Sequence, residues 1–356
     1  MHRQTIARII DALVHGERRD LSPAGAEKLK GWVEEENGRA IFGHRCGSII
    51  GISIKRESIA WVIAGIPEPV TSGRIDAPIL PLQGEPATLE ELEEHLVAAL
   101  QKLVPELPST KLGAVGVAWP GLVDGDGAAR DYPTHHSLLG DSDANSNPSL
   151  TGTVAAALQR VGLSPDPAEP PEIAIVNDAD ADLLHEARRG IAKGVASALG
   201  VKVCGGIGMS LLSNRQLIRG SNWSSGDIEH IRVELGEDRD LKKKWGRLKD
   251  LDELDECACT GSQCVGRFAS GAAIVEQLSG YFPKRGMERE MTPNERGRRI
   301  ESEANKGPVT AVCGRAGRLL GQALLAPTLA FDPEMIVVSA FPHNDHLRDG
   351  IRTRLT

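Results

Sequence analysis

The chain has 356 residues, 40% hydrophobic, 25% charged and only 3% aromatic, with a formal net charge of −8. That length can bury a core without disulfides and is commonly shared between two domains. The acidic balance disfavours non-specific binding to nucleic acid or anionic membranes, while leaving room for a small basic DNA-reading segment. The scarcity of aromatics argues against a stacking platform for single strands.

Met1 to Arg8 is polar and leads into an amphipathic run rather than an apolar signal region. No stretch reaches the roughly 18 apolar residues of a membrane span, so a cytoplasmic protein with no membrane partner is expected. Ile6, Ile9, Ile10, Leu13 and Val14 recur at helical spacing over 5–15. A weaker helix is predicted over 23–36, with Ser22 as cap, Pro23 in the first turn and Asn37-Gly38 as its stop. The room before Cys46 is too small for a complete winged helix-turn-helix. Residues 48–66 are β-rich and predict a hairpin. An amphipathic helix follows over 87–104, and a buried strand over 112–118 ends at Pro120-Gly121. Residues 124–148 read as loop, 151–161 as helix and 164–171 as a Pro-rich linker. A strand over 173–176 runs into Asn177-Asp178 and a helix over 179–189. Strands over 195–203, 208–212 and 217–219 suggest a second sheet, and 234–256 is a charged insert. Helices over 267–282 and 309–331 and a strand over 335–338 complete the pattern. Strands alternating with helices imply an α/β fold.

Three of the six cysteines, Cys257, Cys259 and Cys264, fall in one short segment. Without a secretory signal, such clustering reads as metal ligation before disulfides. Thiolates suit zinc, and Gly261 lets the loop turn tightly. His230, just before the charged insert, is the best candidate for a fourth ligand. The alternative is three unrelated loop cysteines. A site closed by four protein ligands leaves no position for substrate or water, so the zinc would be structural.

The order of motifs resembles the ROK family of repressors, open reading frames and sugar kinases. Its C-x-C-G-x-x-G-C-x-E zinc loop matches the spacing of Cys257, Cys259 and Cys264, and Gly226-Asp227-Ile228-Glu229-His230 stands where the family has G-E-I-G-H. Gly206-Ile207-Gly208 resembles part of its G-T-G-I-G-G-G segment, and Ile175-Val176-Asn177-Asp178-Ala179-Asp180 its V-x-N-D-A-N. Gly116-Val117-Ala118-Trp119-Pro120-Gly121-Leu122-Val123-Asp124 resembles G-V-P-G-x-V-D.

The resemblance implies the two-domain actin-like/hexokinase (ribonuclease H-like) fold and a homodimer. It divides the chain into a short N-terminal helical segment (1–45), a first α/β domain (46–180) and a second (181–356) with the zinc loop and a short C-terminus. For the family's kinases it implies ATP and Mg²⁺, with Asp178 as general base toward a sugar hydroxyl. Asn177, Asp227 and His230 would join Asp178 in binding the sugar, and Gly206 and Gly208 would belong to a degenerate nucleotide site. Asp178 also suits a helix N-cap.

Several positions depart from the kinases. Ser53-Ile54-Lys55-Arg56-Glu57-Ser58 aligns with D-x-G-G-T-K, so the Asp and both glycines are gone. Cys204-Gly205-Gly206-Ile207-Gly208-Met209-Ser210 keeps only part of the second glycine pattern, and Val338-Ser339-Ala340 replaces a late G-G. Asp227 is shorter than the usual Glu, Glu229 replaces a Gly, and Gly266 replaces a sugar-binding Glu. Regulators of the family keep the sugar domain, lose the ATP motifs and carry an N-terminal DNA-binding domain; Gly38-Arg39-Ala40 resembles their junction. Three readings follow: a sugar-sensing regulator without kinase activity, with DNA as a candidate partner; an ATP-dependent sugar kinase; and a non-catalytic scaffold.

Overall fold

A computed structural model describes residues 33–36, 39–42, 48–64, 71–80, 87–108, 111–130, 139, 148–163, 170–236, 241–254, 257, 259, 263–282, 293–340 and 342–355. The helix expected over 5–15 lies outside them. Residues 33–36, expected as the end of a helix, instead form strand β1 (Val33–Glu36), paired antiparallel with β2 (Arg39–Phe42). Asn37-Gly38 between them is a strong hairpin signal, and it prevails over the weak helical periodicity. The rest of that expected helix is outside the described residues.

The chain divides into two units, 1–131 with 137–178, and 132–136 with 179–356. In the first, β3 (Ser48–Lys55) turns into β4 (Ser58–Ile63) and β5 (Thr71–Asp76). Helix α1 (Leu89–Leu103), β6 (Leu112–Trp119), the ribbon of β7 (Leu122–Val123) and β8 (Ala129–Arg130), α2 (Leu150–Arg160) and β9 (Glu172–Asn177) follow. The sheet order is β5-β4-β3-β6-β9, antiparallel across β5, β4 and β3 and parallel from β3 through β9.

Alternation builds this sheet. Ile50, Ile52 and Ile54 point to one buried face of β3, and Ile59, Trp61 and Ile63 of β4 are buried with them. Branched side chains fit a pleated, packed surface. Leu92, Leu96, Leu100 and Leu103 of α1, at helical spacing, belong to the same core, as do Val154, Ala157 and Leu158 of α2. A capping box starts α1: the Glu91 N–H donates to Thr88 Oγ1 (3.1 Å) and the Thr88 N–H to Glu91 Oε2 (2.8 Å). Strand β5 was not expected, because its only buried apolar side chain is Ile75. Its Gly73 makes room for Trp61, whose ring would lie 2.3 Å from a Cβ there.

Past β7, Asp124 organises a tight turn. Its Oδ1 accepts the N–H groups of Asp126 and Ala128, both at 2.9 Å, and its Oδ2 accepts Arg130 Nε at 2.8 Å. Burial pushes this carboxyl up, but the Ala128 N–H, Arg130 and the Asp126 N–H together hold it below its ordinary value. A depressed carboxylate adds stability above its unfolded pKa and loses it as pH falls through the folded one. Asp124→Ala is therefore expected to cost about 1–3 kcal/mol at pH 7. In urea unfolding the gap from the wild type should shrink as pH drops below about 4. A gap that stays constant with pH would show that the charge is not what Asp124 contributes.

The second unit follows from α3 (Asp178–Arg188), which passes into it at Ala179. It contains β10 (Ala198–Val203), β11 (Ile207–Ser213), β12 (Gln216–Leu217), α4 (Leu241–Lys244), α5 (Val265–Ala269), α6 (Gly271–Leu278), α7 (Pro293–Ser302), α8 (Gly307–Phe331), β13 (Met335–Ala340) and α9 (Asp345–Leu355). The sheet order β12-β11-β10-β13, with β10 antiparallel to β11 and parallel to β13, repeats the β5-β4-β3-β6 order of the first unit. The expected helix over 267–282 is two helices. Ser270 breaks it, and its Oγ accepts the Ala273 N–H (3.1 Å) to cap α6. Helices α7 and α9 were not expected. α9 lies very close to α8: a Cβ on Gly317 would sit 2.1 Å from Leu347 O, and one on Gly350 2.6 Å from Gly314 O. Among the described residues no helix is long and apolar enough to cross a membrane.

Candidate functional site

The candidate metal centre lies in the second unit. His230 ends a single 3-10 turn, Ile228–His230. The chain then pairs briefly with the segment before α5: the Val233 N–H donates to Gln263 O and the Val265 N–H to Ile231 O, both at 2.9 Å, with Arg232 bridging Cys264. This fixes His230 against Cys264, which is 1% exposed. The imidazole Nδ1 is 3.1 Å from Cys257 Sγ, while Cys259 Sγ is 3.4 Å from Cys257 Sγ and 3.2 Å from Cys264 Sγ. The four ligand atoms all lie within 4.8 Å of one another.

Burial pushes the Cys257 and Cys264 thiols above their ordinary value, and for Cys264 both neighbouring thiols add to the rise. Thiolates there need a cation to stabilise them. Three sulfurs and one imidazole are the donor set of a tetrahedral, thiophilic ion such as zinc. With Nδ1 toward the sulfurs, Nε2 faces two carboxylates, Glu229 Oε1 at 3.5 Å and Asp227 Oδ1 at 3.8 Å. Carboxylates behind a ligating histidine fix its tautomer and ring orientation.

A glycine-dependent approach holds this turn against β11. The Met209 N–H donates to Gly226 O (2.9 Å), and Gly226 has φ +97°. A Cβ on Gly226 would lie 1.8 Å from Met209 O. The Glu229 carboxylate reaches back to the β10–β11 turn, where its Oε2 accepts the Ile207 N–H at 3.2 Å. A Cβ on Gly206 would be 2.7 Å from that oxygen, and one on Gly266 would be 3.0 Å from Glu229 Cβ. Gly208 packs on Ala179, with 3.3 Å between its would-be Cβ and the Ala179 methyl. The changes at 229 and 266 stand apart in the sequence; only the structure joins them. Equally unsignalled in the sequence is the ion pair of buried Asp180 with Arg219 (3.2 Å), which secures α3 to the end of the second sheet.

In the first unit, Asn177 ends β9 opposite Trp119 of β6, and its Nδ2 donates to Gly121 O at 3.0 Å. The half-buried Asp178 opens α3, where a carboxylate is favoured by the helix dipole. The segment resembling the first phosphate motif makes the β3–β4 hairpin: Lys55 ends β3, Arg56 and Glu57 form the bend, and Ser53 pairs with Ala60 and Ala118. The carbonyl of Arg56 accepts the N–H groups of Ile79 (2.8 Å) and Leu80 (3.0 Å).

The ROK family's sequence profile matches residues 76–341. The chain belongs to the ROK family. This ROK chain is 24% identical over 338 residues to the DNA-binding transcriptional dual regulator NagC of Escherichia coli K12, covering 91% of this chain and 74% of that protein. A crystal structure of a ROK family transcriptional regulator, a homologue of the E. coli MLC protein, superposes with a TM-score of 0.65 at 16% identity, covering 94% of this chain and 81% of that one. A ROK family glucokinase from Streptomyces griseus, crystallised with glucose and AMPPNP, gives 0.61 at 20% identity, covering 87% and 90%. The fold is accordingly the mixed α/β, actin-like/hexokinase fold of ROK sugar kinases and regulators. Relatives of both kinds share it, so fold alone does not choose between sensing and phosphoryl transfer.

Proposed function

We propose that this chain is a regulator-type ROK protein that senses a sugar or related small ligand, transfers no phosphate, and holds one structural zinc ion on His230, Cys257, Cys259 and Cys264. The observation that carries the reading is the β3–β4 hairpin. Lys55 at the end of β3 and Arg56 in its bend stand where the motif of the family's kinases has its two glycines. A phosphate-binding turn needs bare backbone N–H groups that an anion can approach, and side chains here obstruct that approach. The similarity to NagC across most of the chain supports the same reading. Asn177, Asp178, Asp227 and His230 are the groups that the family resemblance puts forward to hydrogen-bond ligand hydroxyls. DNA contact by this chain would rest on the residues before β3.

A sugar kinase is the second reading. It is favoured by Asn177-Asp178 at a strand-to-helix junction, where Asp178 could take a proton from an attacking hydroxyl. Calorimetric titration of the zinc-loaded protein with Mg-ATP, and separately with glucose, N-acetylglucosamine, N-acetylmannosamine and xylose, separates the two. The expected result is binding of a sugar without binding of Mg-ATP. Binding of both, with phosphate transfer abolished in Asp178→Asn, would make the chain a kinase. Binding of neither would leave a scaffold.

A further inference from the structure

We propose that Glu229 is a tethered anion that keeps the β10–β11 turn closed to the phosphates of a nucleotide. This deepens, and rests on, the reading of the chain as a protein that transfers no phosphate. The turn carries Gly205 and Gly206 in the segment that resembles the family's second phosphate motif. The face of Gly205 is open, with nothing within 4 Å of a Cβ built there. Its neighbour is different. The Glu229 Oε2 accepts the Ile207 N–H at 3.2 Å and lies 2.7 Å from where a Cβ on Gly206 would be. A side-chain carboxylate thus sits against the bare backbone that an incoming phosphate oxygen would use.

The side chain is held there from behind. Gly266 leaves the room it passes through: a Cβ on Gly266 would be 3.0 Å from Glu229 Cβ and 3.2 Å from Glu229 O. On the other side, Glu229 Oε1 lies 3.5 Å from His230 Nε2. The two departures from the family motif, Glu for Gly at 229 and Gly for Glu at 266, are therefore one steric unit. A carboxylate is rooted in the 3-10 turn of the site, and the position opposite, in α5, is emptied to admit it. A phosphate approaching Ile207 must displace this carboxylate and meets like charge at close range.

The test is calorimetric titration of the full-length, zinc-loaded protein with inorganic tripolyphosphate and with Mg-ATP, using the wild type, Glu229→Gly and Glu229→Gln. The wild type is expected to bind neither. Glu229→Gly should bind tripolyphosphate at least about tenfold more tightly than the wild type, which corresponds to about 1.4 kcal/mol. Glu229→Gln should gain less, because the amide still fills the place but carries no charge. It also decides the matter if Glu229→Gly does not fold. No gain in a folded variant, or equal tripolyphosphate binding by wild type and variants, overturns the role given to Glu229 and leaves the non-kinase reading standing. Binding of Mg-ATP by the wild type overturns that reading itself, and this proposal with it.

Discussion

Chelation of the metal is expected to lower the melting temperature of the protein by about 5–10 °C, on the scale of about 2–4 °C per kcal/mol for large domains. Zinc affinity in small zinc-binding peptides reaches about 10–16 kcal/mol, and such binding energy is folding energy. Only part of it would appear here, because the second unit has its own core, including Leu199, Val201, Phe268, Leu319 and Leu320. That part would come from what a bound ion would tie together: the turn ending at His230, the loop with Cys257 and Cys259, and Cys264 at the start of α5. Cys264→Ser should reproduce the loss and bring zinc below one ion per chain by atomic emission. Cys313→Ser is the control, since Cys313 is just as buried but lies in α8 and belongs to no ligand cluster among the described residues. An unchanged melting temperature after chelation, with no metal found, would reduce the cluster to four packed side chains.

What could be read from the sequence depended on range. The β3–β4 hairpin was legible because alternation of isoleucines is a local signal, and α1 because its apolar residues recur at helical spacing. The cysteines announced themselves by spacing, whereas His230 was singled out by its place just before the charged insert and then by motif order. Helix α9 was not legible. It buries just Leu347, Gly350 and Ile351, and a mid-helix glycine reads as a breaker. Gly350 is there because α8 comes too close for a side chain, a fact of tertiary packing. The strand at 33–36 was misread because a weak helical period was given more weight than Asn37-Gly38. The tie of Glu229 to Ile207 was invisible for a further reason: it joins a turn, a 3-10 segment and a helix start far apart in sequence.

That long-range construction makes Gly226→Ala the most damaging single methyl the second unit could receive near the candidate site. Gly226 has φ +97°, where an L side chain costs about 1–2 kcal/mol. Its new Cβ would also lie 1.8 Å from Met209 O and 2.7 Å from Met209 C, both backbone atoms of β11 that cannot rotate away. Separation would break the Met209 N–H bond to Gly226 O and move Asp227 and His230, which follow on the same turn. Overpacking adds about 1–3 kcal/mol, so the total loss is expected to be about 3 kcal/mol or more, with metal content falling alongside stability. Gly205→Ala provides the contrast. Nothing lies within 4 Å of a Cβ at Gly205, so its stability in urea unfolding should stay within about 0.5 kcal/mol of the wild type. Equal midpoints for the two variants would mean that the turn bearing His230 does not lean on β11. The geometry that carries both the metal cluster and the Glu229 contact would then have to be redrawn.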